Sequence, residues 1–414
     1  MGELMKGSSS APWRVLILLV VSVAINYIDR GSLSLAAPLL KDELGISASQ
    51  LGLLLSSFFW TYATFQIVSG WLVDRYDVNW ILAGGFFLWS MATAVTGLVN
   101  GFGMLVAMRL LLGVGESVAY PCYSKILASR FAEHQRGLSN ALIDAGTKFG
   151  PALGTLAGGV LMARFGWRPV FVVLGLGSLL WLAPWVKWMP RGEDVAESGS
   201  RAAPGLLEIL RLRPAWATFA GHFCGNYFFY FLLTWLPFYL VRERHLSMDS
   251  MAGVGAAAYL VTAAATTAAG WLADRAIVAG RTPTRVRKTC TVAGLGCATV
   301  ILAVTVVSDT TLSMVLLMLA CASYGVYASS HWAITQTVAG PQAAGRWTGL
   351  QNFISNLAGV VAPALTGLVV EKTGHFFWAF AASAAVALAG AGIYLFLLGP
   401  VEGVKWRHAE SVWR

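Results

Sequence analysis

Charge is scarce in this sequence. Only 12% of its 414 residues are charged and 57% are hydrophobic, whereas an ordinary soluble domain carries about 25% charged residues. Cysteine is scarce as well. Cys122, Cys224, Cys290, Cys297 and Cys321 form no CxxC pair and stand beside no histidine cluster at metal-ligand spacing. That pattern argues against a disulfide framework and a zinc site, and leaves the cysteines as small packing residues. No P-loop, no HExxH and no polar catalytic domain is present, so no metal, nucleotide or covalent cofactor is implied. The net charge of +9 is not gathered into a basic patch interleaved with aromatics, which disfavours nucleic acid as a partner. What remains is a protein whose chemistry rests on a few polar residues in apolar surroundings.

Those surroundings are organised. Apolar runs of about 20 residues, enough to span a ~30 Å hydrocarbon core, occupy residues 14–38, 51–73, 80–99, 103–127, 138–163, 168–188, 215–241, 251–272, 289–307, 312–335, 346–370 and 375–398. Many are rich in Gly, Ala and Ser, as closely packed membrane helices are. The first run leads straight into Asp29 and Arg30 without a small-residue cleavage site, so it reads as a spanning helix and not a leader. With charges near the ends of the spans counted with the adjoining loops, the side of both termini carries the whole net charge of +9, while the span interiors and the opposite loops each sum to zero. By the positive-inside rule both termini face the cytoplasm.

The longest polar stretch lies near the midpoint and contains RGEDVAESGSRAAPG. It divides the chain into a six-helix half (1–189), a cytoplasmic linker (190–213) and a second half with a short tail (214–414). GWLVDR at Gly70–Arg75 returns as GWLADR at Gly270–Arg275, each at the same end of the second span of its half. The expected fold is therefore an all-α membrane protein of twelve transmembrane helices in two pseudo-symmetric six-helix halves. Internal repeats of this kind belong to secondary transporters, whose site lies between the halves near the midplane.

The polar residues inside the spans are candidates for that site, because an ionisable group there is costly. Asp29 and Arg30 are consecutive, point about 100° apart on a helix and each seek a partner elsewhere. They read either as members of interhelix salt bridges or as a proton carrier and a carboxylate ligand. Arg109 and Glu116 lie two turns apart on one face, with Gly113 and Gly115 inviting a neighbouring helix. This reading brings Arg109 near Asp29 and makes Glu116 either a protonation site or a structural acid. Asp144 and Lys148, four apart with the acid first, suit an intrahelical pair; alternatively Lys148 or Thr147 faces the cavity. In the second half Ser329, His331 and Trp332 lie in one span and Gln351, Asn352 and Asn356 in the next, with amides that need partners in an apolar setting. His331 reads equally as a pH-sensitive group, a ligand donor or an interhelix contact. His222, Asn226 and Tyr230 form a further polar stripe.

The two GxxxDR loops, with NYIDR (Asn26–Arg30), RLLLGVGE (Arg109–Glu116) and NLAGVVAP (Asn356–Pro363), resemble the major facilitator superfamily and its anion:cation symporter branch. That branch includes bacterial sugar-acid transporters and the animal sialin and vesicular glutamate carriers. The resemblance covers essentially the whole chain. One departure is clear: Tyr76-Asp77-Val78-Asn79 stands where the superfamily loop continues with Gly and a basic pair.

The resemblance implies proton-coupled symport of a small hydroxylated organic anion, a sugar acid such as a hexuronate, aldonate or aldarate, by alternating access. Asp29 and Glu116 would be the proton-coupling residues. Tyr27, Arg30, Tyr62, Arg109, Thr147, Lys148, Ser329, His331, Trp332 and Asn352 would bind the substrate. The competing readings are an exporter or exchanger of organic anions or amphipathic compounds on the same fold and, remotely, an integral-membrane enzyme. The expected partners are the anion, protons and the lipid bilayer of a bacterial inner membrane, and the expected state is a monomer. Orientation is open to direct measurement. A cysteine at Ser198 should be labelled from the cytoplasmic side alone and one at Ser308 from the opposite side alone; the reverse pattern would overturn the topology read from loop charge.

Overall fold

The computed structural model describes residues 10–130, 133–189 and 204–406. Twelve long helical segments account for nearly all of them. They are α1 (Ser10–Leu44), α2 (Ala48–Arg75), α3 (Val78–Thr96), α4 (Phe102–Leu127), α5 (Glu133–Phe165) and α6 (Trp167–Trp188) in the first half. In the second half they are α7 (Arg213–Arg242), α8 (Met248–Val278), α9 (Pro283–Val306), α10 (Thr310–Gly340), α11 (Arg346–Thr373) and α12 (Phe377–Leu397). In an apolar medium a helix satisfies its own backbone hydrogen bonds, so long apolar runs take this form. Among the described residues 11 helices are long and apolar enough to cross a membrane. The remaining segment is α5, 33 residues long, whose apolarity is diluted by Asp144, Lys148 and a polar first turn.

The connections follow local chemistry. Ser47 opens α2 in a reciprocal capping box with Gln50, and Asp77 caps α3 through the backbone N–H of Asn79. Gly340, at φ 63°, breaks the helical path between α10 and α11, a conformation that a side chain would resist. α4 is interrupted by a turn at Ser117 and Val118, directly after Glu116. Of the expected linker 190–213, residues 190–203 lie outside the described residues. The described part holds a short helix, Leu206–Leu210, with Ile209 buried, and Arg346 Nη1 donates to Pro204 O at 2.8 Å.

The two halves meet through α2 against α11, α5 against α8, and α1 against α7. Their tightest contacts cluster toward the end of the molecule that carries the 44–48 turn. A Cβ on Gly52 would stand 2.5 Å from the Pro363 carbonyl oxygen and 3.1 Å from Gly367 Cα, so backbone lies on backbone there. Nearby, the backbone N–H of Ser49 donates to Glu371 Oε2 at 2.7 Å, and Arg242 reaches Asp42 and the Pro38 carbonyl of the other half. Gly159 is equally close to Ala252. This end is sealed by small residues and two polar latches.

A methyl-bearing side chain at Gly52 has no space to occupy. Gly52→Val should lower stability by about 1–3 kcal/mol, the usual cost of overpacking, and its thermal unfolding in detergent should move down accordingly. An unchanged midpoint would show that α2 and α11 part here without cost.

Candidate functional site

α1 carries four polar side chains, Asn26, Tyr27, Asp29 and Arg30, into the interior; Tyr27 and Arg30 lie within electrostatic range of Tyr230 in the other half, Asn26 and Asp29 among residues of their own half. Arg30 and Glu116 are buried, and Arg30 Nε donates to Glu116 Oε2 at 2.7 Å. An ion pair withdrawn from water survives only with good geometry and further support. The support is aromatic. The guanidinium carbon lies 4.3 Å from the ring centroid of Tyr62, 4.7 Å from Tyr27 and 5.2 Å from Phe58. These are cation–π distances in a desolvated setting, where the attraction is strongest. Tyr62 stacks on Phe58 at 5.1 Å, fixing the cage, and the Tyr27 and Tyr120 hydroxyls lie 3.2 Å apart.

The pair leaves capacity unused. Arg30 Nη2 and Glu116 Oε1 have no hydrogen-bond partner. Asp29 is buried with both carboxylate oxygens unpartnered, although Thr93, Arg109 and Glu116 lie within electrostatic range. Arg109 is buried as well, lies 5.0 Å from the Phe58 ring and leaves its Nε unpartnered. The expected neighbourhood of Asp29 and Arg109 is present, without a hydrogen bond between them. Glu116, for which the sequence names no partner, pairs with Arg30, one of the interhelix salt bridges open to that residue.

The second half contributes amides, hydroxyls and imidazoles. Tyr230 donates its hydroxyl proton to Asn356 Oδ1 at 2.6 Å, and Asn356 Nδ2 donates to Asn352 O and Oδ1 at 2.8 and 3.2 Å. The expected stripe of Asn352 and Asn356 is thus a hydrogen-bonded chain. It touches the Arg30 cage through Phe59, whose ring centroid is 4.5 Å from Tyr230. His331 and Trp332 gather elsewhere, around His222, with ring centroids 4.6 and 4.9 Å from it. Gln351 joins His222 at 3.2 Å and accepts from Thr335 at 2.9 Å, so its amide is consumed within the half. Ser329 donates to its own backbone at Val326 O, 2.7 Å away. It has no contact with the Arg30 cage among those described.

On α5 the spacing of Asp144 and Lys148 yields the expected pair: Lys148 Nζ donates to Asp144 Oδ1 at 2.6 Å and to Thr147 Oγ1 at 2.9 Å. Asn26, Phe58 and Tyr120 were not among the candidates. Asn26 is fully buried beside Glu116 with neither amide atom partnered. Its signal was available, since it is an amide inside a span, one turn before Arg30. Among the described residues no group of three or more His, Cys, Asp or Glu is placed to hold a metal ion. A cavity of about 480 Å3 lies among the loops at the sealed end, lined by Tyr239, Arg242, Arg244, His245 and His375 among others, and holds none of the candidates.

Comparison with known proteins gives this arrangement a family. The Major Facilitator Superfamily profile matches residues 19–363. The chain belongs to the major facilitator superfamily. It is a transporter and not an enzyme. The chain is 30% identical over 402 residues to the hexuronate transporter of Bacillus subtilis (strain 168), covering 94% of this chain and 95% of that protein. It is 28% identical to the "Probable galactarate/D-glucarate transporter GudP" of the same organism, over 97% of this chain and 95% of the other. In structure it is similar to a bacterial homologue of the human lysosomal transporter Spinster, with a TM-score of 0.81, 19% identity, and coverage of 95% of this chain and 98% of that one. In this facilitator the twelve helices and two halves expected from sequence are in place.

The ion pair makes a stability prediction. Removing one partner strands a buried charge, at a cost of about 3–5 kcal/mol, whereas replacing both with apolar residues is often neutral. Arg30→Met and Glu116→Met should each destabilise the protein strongly in thermal unfolding, and the double variant less than either. A double variant as unstable as the sum of the singles would deny the pairing.

Proposed function

We propose that this facilitator imports a hydroxylated sugar acid together with protons across a bacterial inner membrane, with both termini in the cytoplasm. The observation that carries the reading is the buried Arg30–Glu116 pair beside the unpartnered carboxyl of Asp29. Arg30 offers a planar fork suited to a carboxylate, and Glu116 already occupies it as a carboxylate would. A substrate carboxylate and Glu116 therefore compete for one guanidinium. A proton on Glu116 removes the competitor, so the anion and the proton favour each other's binding.

Asp29 completes the scheme. A lone buried carboxylate is expensive, and a proton cancels its charge. Arg109 supplies further positive potential, while Tyr27, Tyr62 and Asn352 offer groups suited to hydroxyls. Thr147, Ser329, His331 and Trp332 are assigned to the wall of the same cavity. The named activities of the relatives, transport of hexuronate and of galactarate and glucarate, support sugar acids as the class. The orientation rests on the loop charge. In that orientation the sealed end is external, and the tight packing of Gly52, Pro363 and Gly367 belongs to an inward-facing arrangement. Rocking of the halves about the Arg30 cage gives alternating access.

Coupling is testable through charge. If Asp29 and Glu116 each carry a proton, two protons enter with a monoanion and one net positive charge moves. Voltage then contributes about 2.3 kcal/mol per 100 mV, inside negative. In reconstituted vesicles at equal pH, an inside-negative potential should drive accumulation of a monoanionic sugar acid. Glu116→Gln should abolish that accumulation and spare exchange across the membrane. Voltage-insensitive uptake would reject the two-proton scheme. Loss of exchange together with accumulation would place Glu116 in the binding site or in the moving framework.

A further inference from the structure

The Asp144–Lys148 pair has no evident structural purpose. It lies in the interior of α5, and it helps make that helix the least apolar of the twelve. The Asp144 side chain is 61% exposed and that of Lys148 30%. An exposed i,i+4 pair adds little stability, so two charges in a membrane helix call for another reason.

Packing fixes where the pair stands. A Cβ on Gly150 would lie 2.5 Å from Ala24 O, and one on Gly154 would lie 3.0 Å from Ile28 Cγ1. α1 and α5 thus run side by side in a constant register. In that register Lys148 lies about two turns, ~12 Å at 1.5 Å per residue, from the level of Arg30 toward the terminal end. The pair nevertheless borders the same space. Asp144 is within electrostatic range of Tyr27 on α1 and of Tyr324 on α10, and both Asp144 and Lys148 are within range of His331. Arg30 and Lys148 are therefore two cationic groups beside the contact between the halves, about two turns apart along α1 and α5.

The two groups have the same construction. Each cation is held by an internal carboxylate, Arg30 by Glu116 and Lys148 by Asp144. An ammonium has three protons to donate; Asp144 Oδ1 and Thr147 Oγ1 take two, and no further partner is found among the described residues. Lys is suited to meet an anion as a point charge, without the planar geometry that Arg imposes.

We infer that Lys148 is a second anion subsite, which recognises an anionic group at the far end of the substrate while Arg30 holds the first carboxylate. The substrate class this selects is the sugar diacid. Asp144 is the internal anion that occupies Lys148 when the far end of the cavity is empty, and the second carboxylate of a diacid replaces it. Thr147 steadies the ammonium in both situations. The inference rests on the assignment of Arg30 to a sugar-acid carboxylate.

The test uses the full-length protein in detergent and titration calorimetry with galactonate and galactarate, a six-carbon monoacid and diacid with matching hydroxyl stereochemistry. The unmodified protein should bind the diacid at least about tenfold more tightly, a difference of 1.4 kcal/mol. Lys148→Gln should erase that advantage by weakening the diacid about tenfold more than the monoacid, with an unchanged thermal unfolding midpoint certifying that the variant is folded. Lys148→Arg should retain a preference for the diacid, and Asp144→Asn, which frees the ammonium, should strengthen it. Equal affinity for the two acids in the unmodified protein, or an equal loss of both in Lys148→Gln, overturns the second subsite and leaves the sugar-acid reading standing. Binding of neither acid by the unmodified protein overturns the sugar-acid reading, and the inference with it.

Discussion

The cost of charge away from water organises the centre of this protein. Arg30 could not be carried through the membrane alone, and its consecutive neighbour Asp29 points the wrong way to help. The partner comes from α4, where Glu116 meets Arg30 Nε at 2.7 Å. The rest of the site follows from completing that arrangement. Tyr27, Tyr62 and Phe58 supply π faces where water would otherwise solvate the guanidinium. Gly113 brings α4 against the backbone of Phe58, and Thr61 donates to Leu110 O at 2.7 Å, so α2 and α4 cannot slide and the cage cannot open. Positioning Arg30 is thus a task shared by three helices of one half.

The second half meets this cage with neutral groups. Tyr230 touches Phe59, and its hydroxyl passes through Asn356 to Asn352. A neutral partner surface has a physical advantage in a protein whose halves must separate. Breaking an ion pair across the interface would expose two charges at each cycle, whereas amides and rings can be parted at lower cost. Fixed charge pairs across the halves are instead found at the periphery, as with Arg242 and Asp42, where water can take over. Between centre and periphery the contact is made by Gly52, Gly159 and Gly367, which pack by shape alone.

Much of this was legible in the sequence, because membrane helices are encoded in one dimension. Run length, loop charge and the repeated GWLxDR hexamer lead to the twelve helices and two halves. The Asp144–Lys148 pair follows from spacing alone, since both residues share a helix. What spacing cannot convey is which helix supplies a partner. The sequence leaves Glu116 open between a protonation site and a structural acid, because nothing local indicates that α4 presents it to Arg30. The engagement of Gln351 with His222 and Thr335 depends on α7, α10 and α11 converging. Asn26 was overlooked for a different reason. It sits within the NYIDR stretch, where the adjacent charges dominate, yet an amide inside a span needs a partner as they do, and its neighbour is Glu116. Neither Asn26 nor the second oxygen of Glu116 makes a hydrogen bond of normal geometry in this arrangement.

That incompleteness bears on how an anion can be admitted at all. The buried cluster and the α5 pair together hold three acids, Asp29, Glu116 and Asp144, and three bases, Arg30, Arg109 and Lys148, so that fully ionised they carry no net charge. Adding a carboxylate without compensation would leave an excess negative charge in a poorly solvated space, which the membrane setting penalises. Two local remedies exist within this set of residues. A proton can neutralise an acid and release its base, as at Glu116 and Arg30. Alternatively, an acid that is exposed, as Asp144 is, would yield its base and be solvated where that face meets water. Under the proposed scheme the first remedy would tie substrate to protons, because Glu116 is fully buried, and the second would not, because Asp144 is exposed. The same pairing motif, placed at two depths, would then serve coupling at the buried pair and selection among anions at the exposed one.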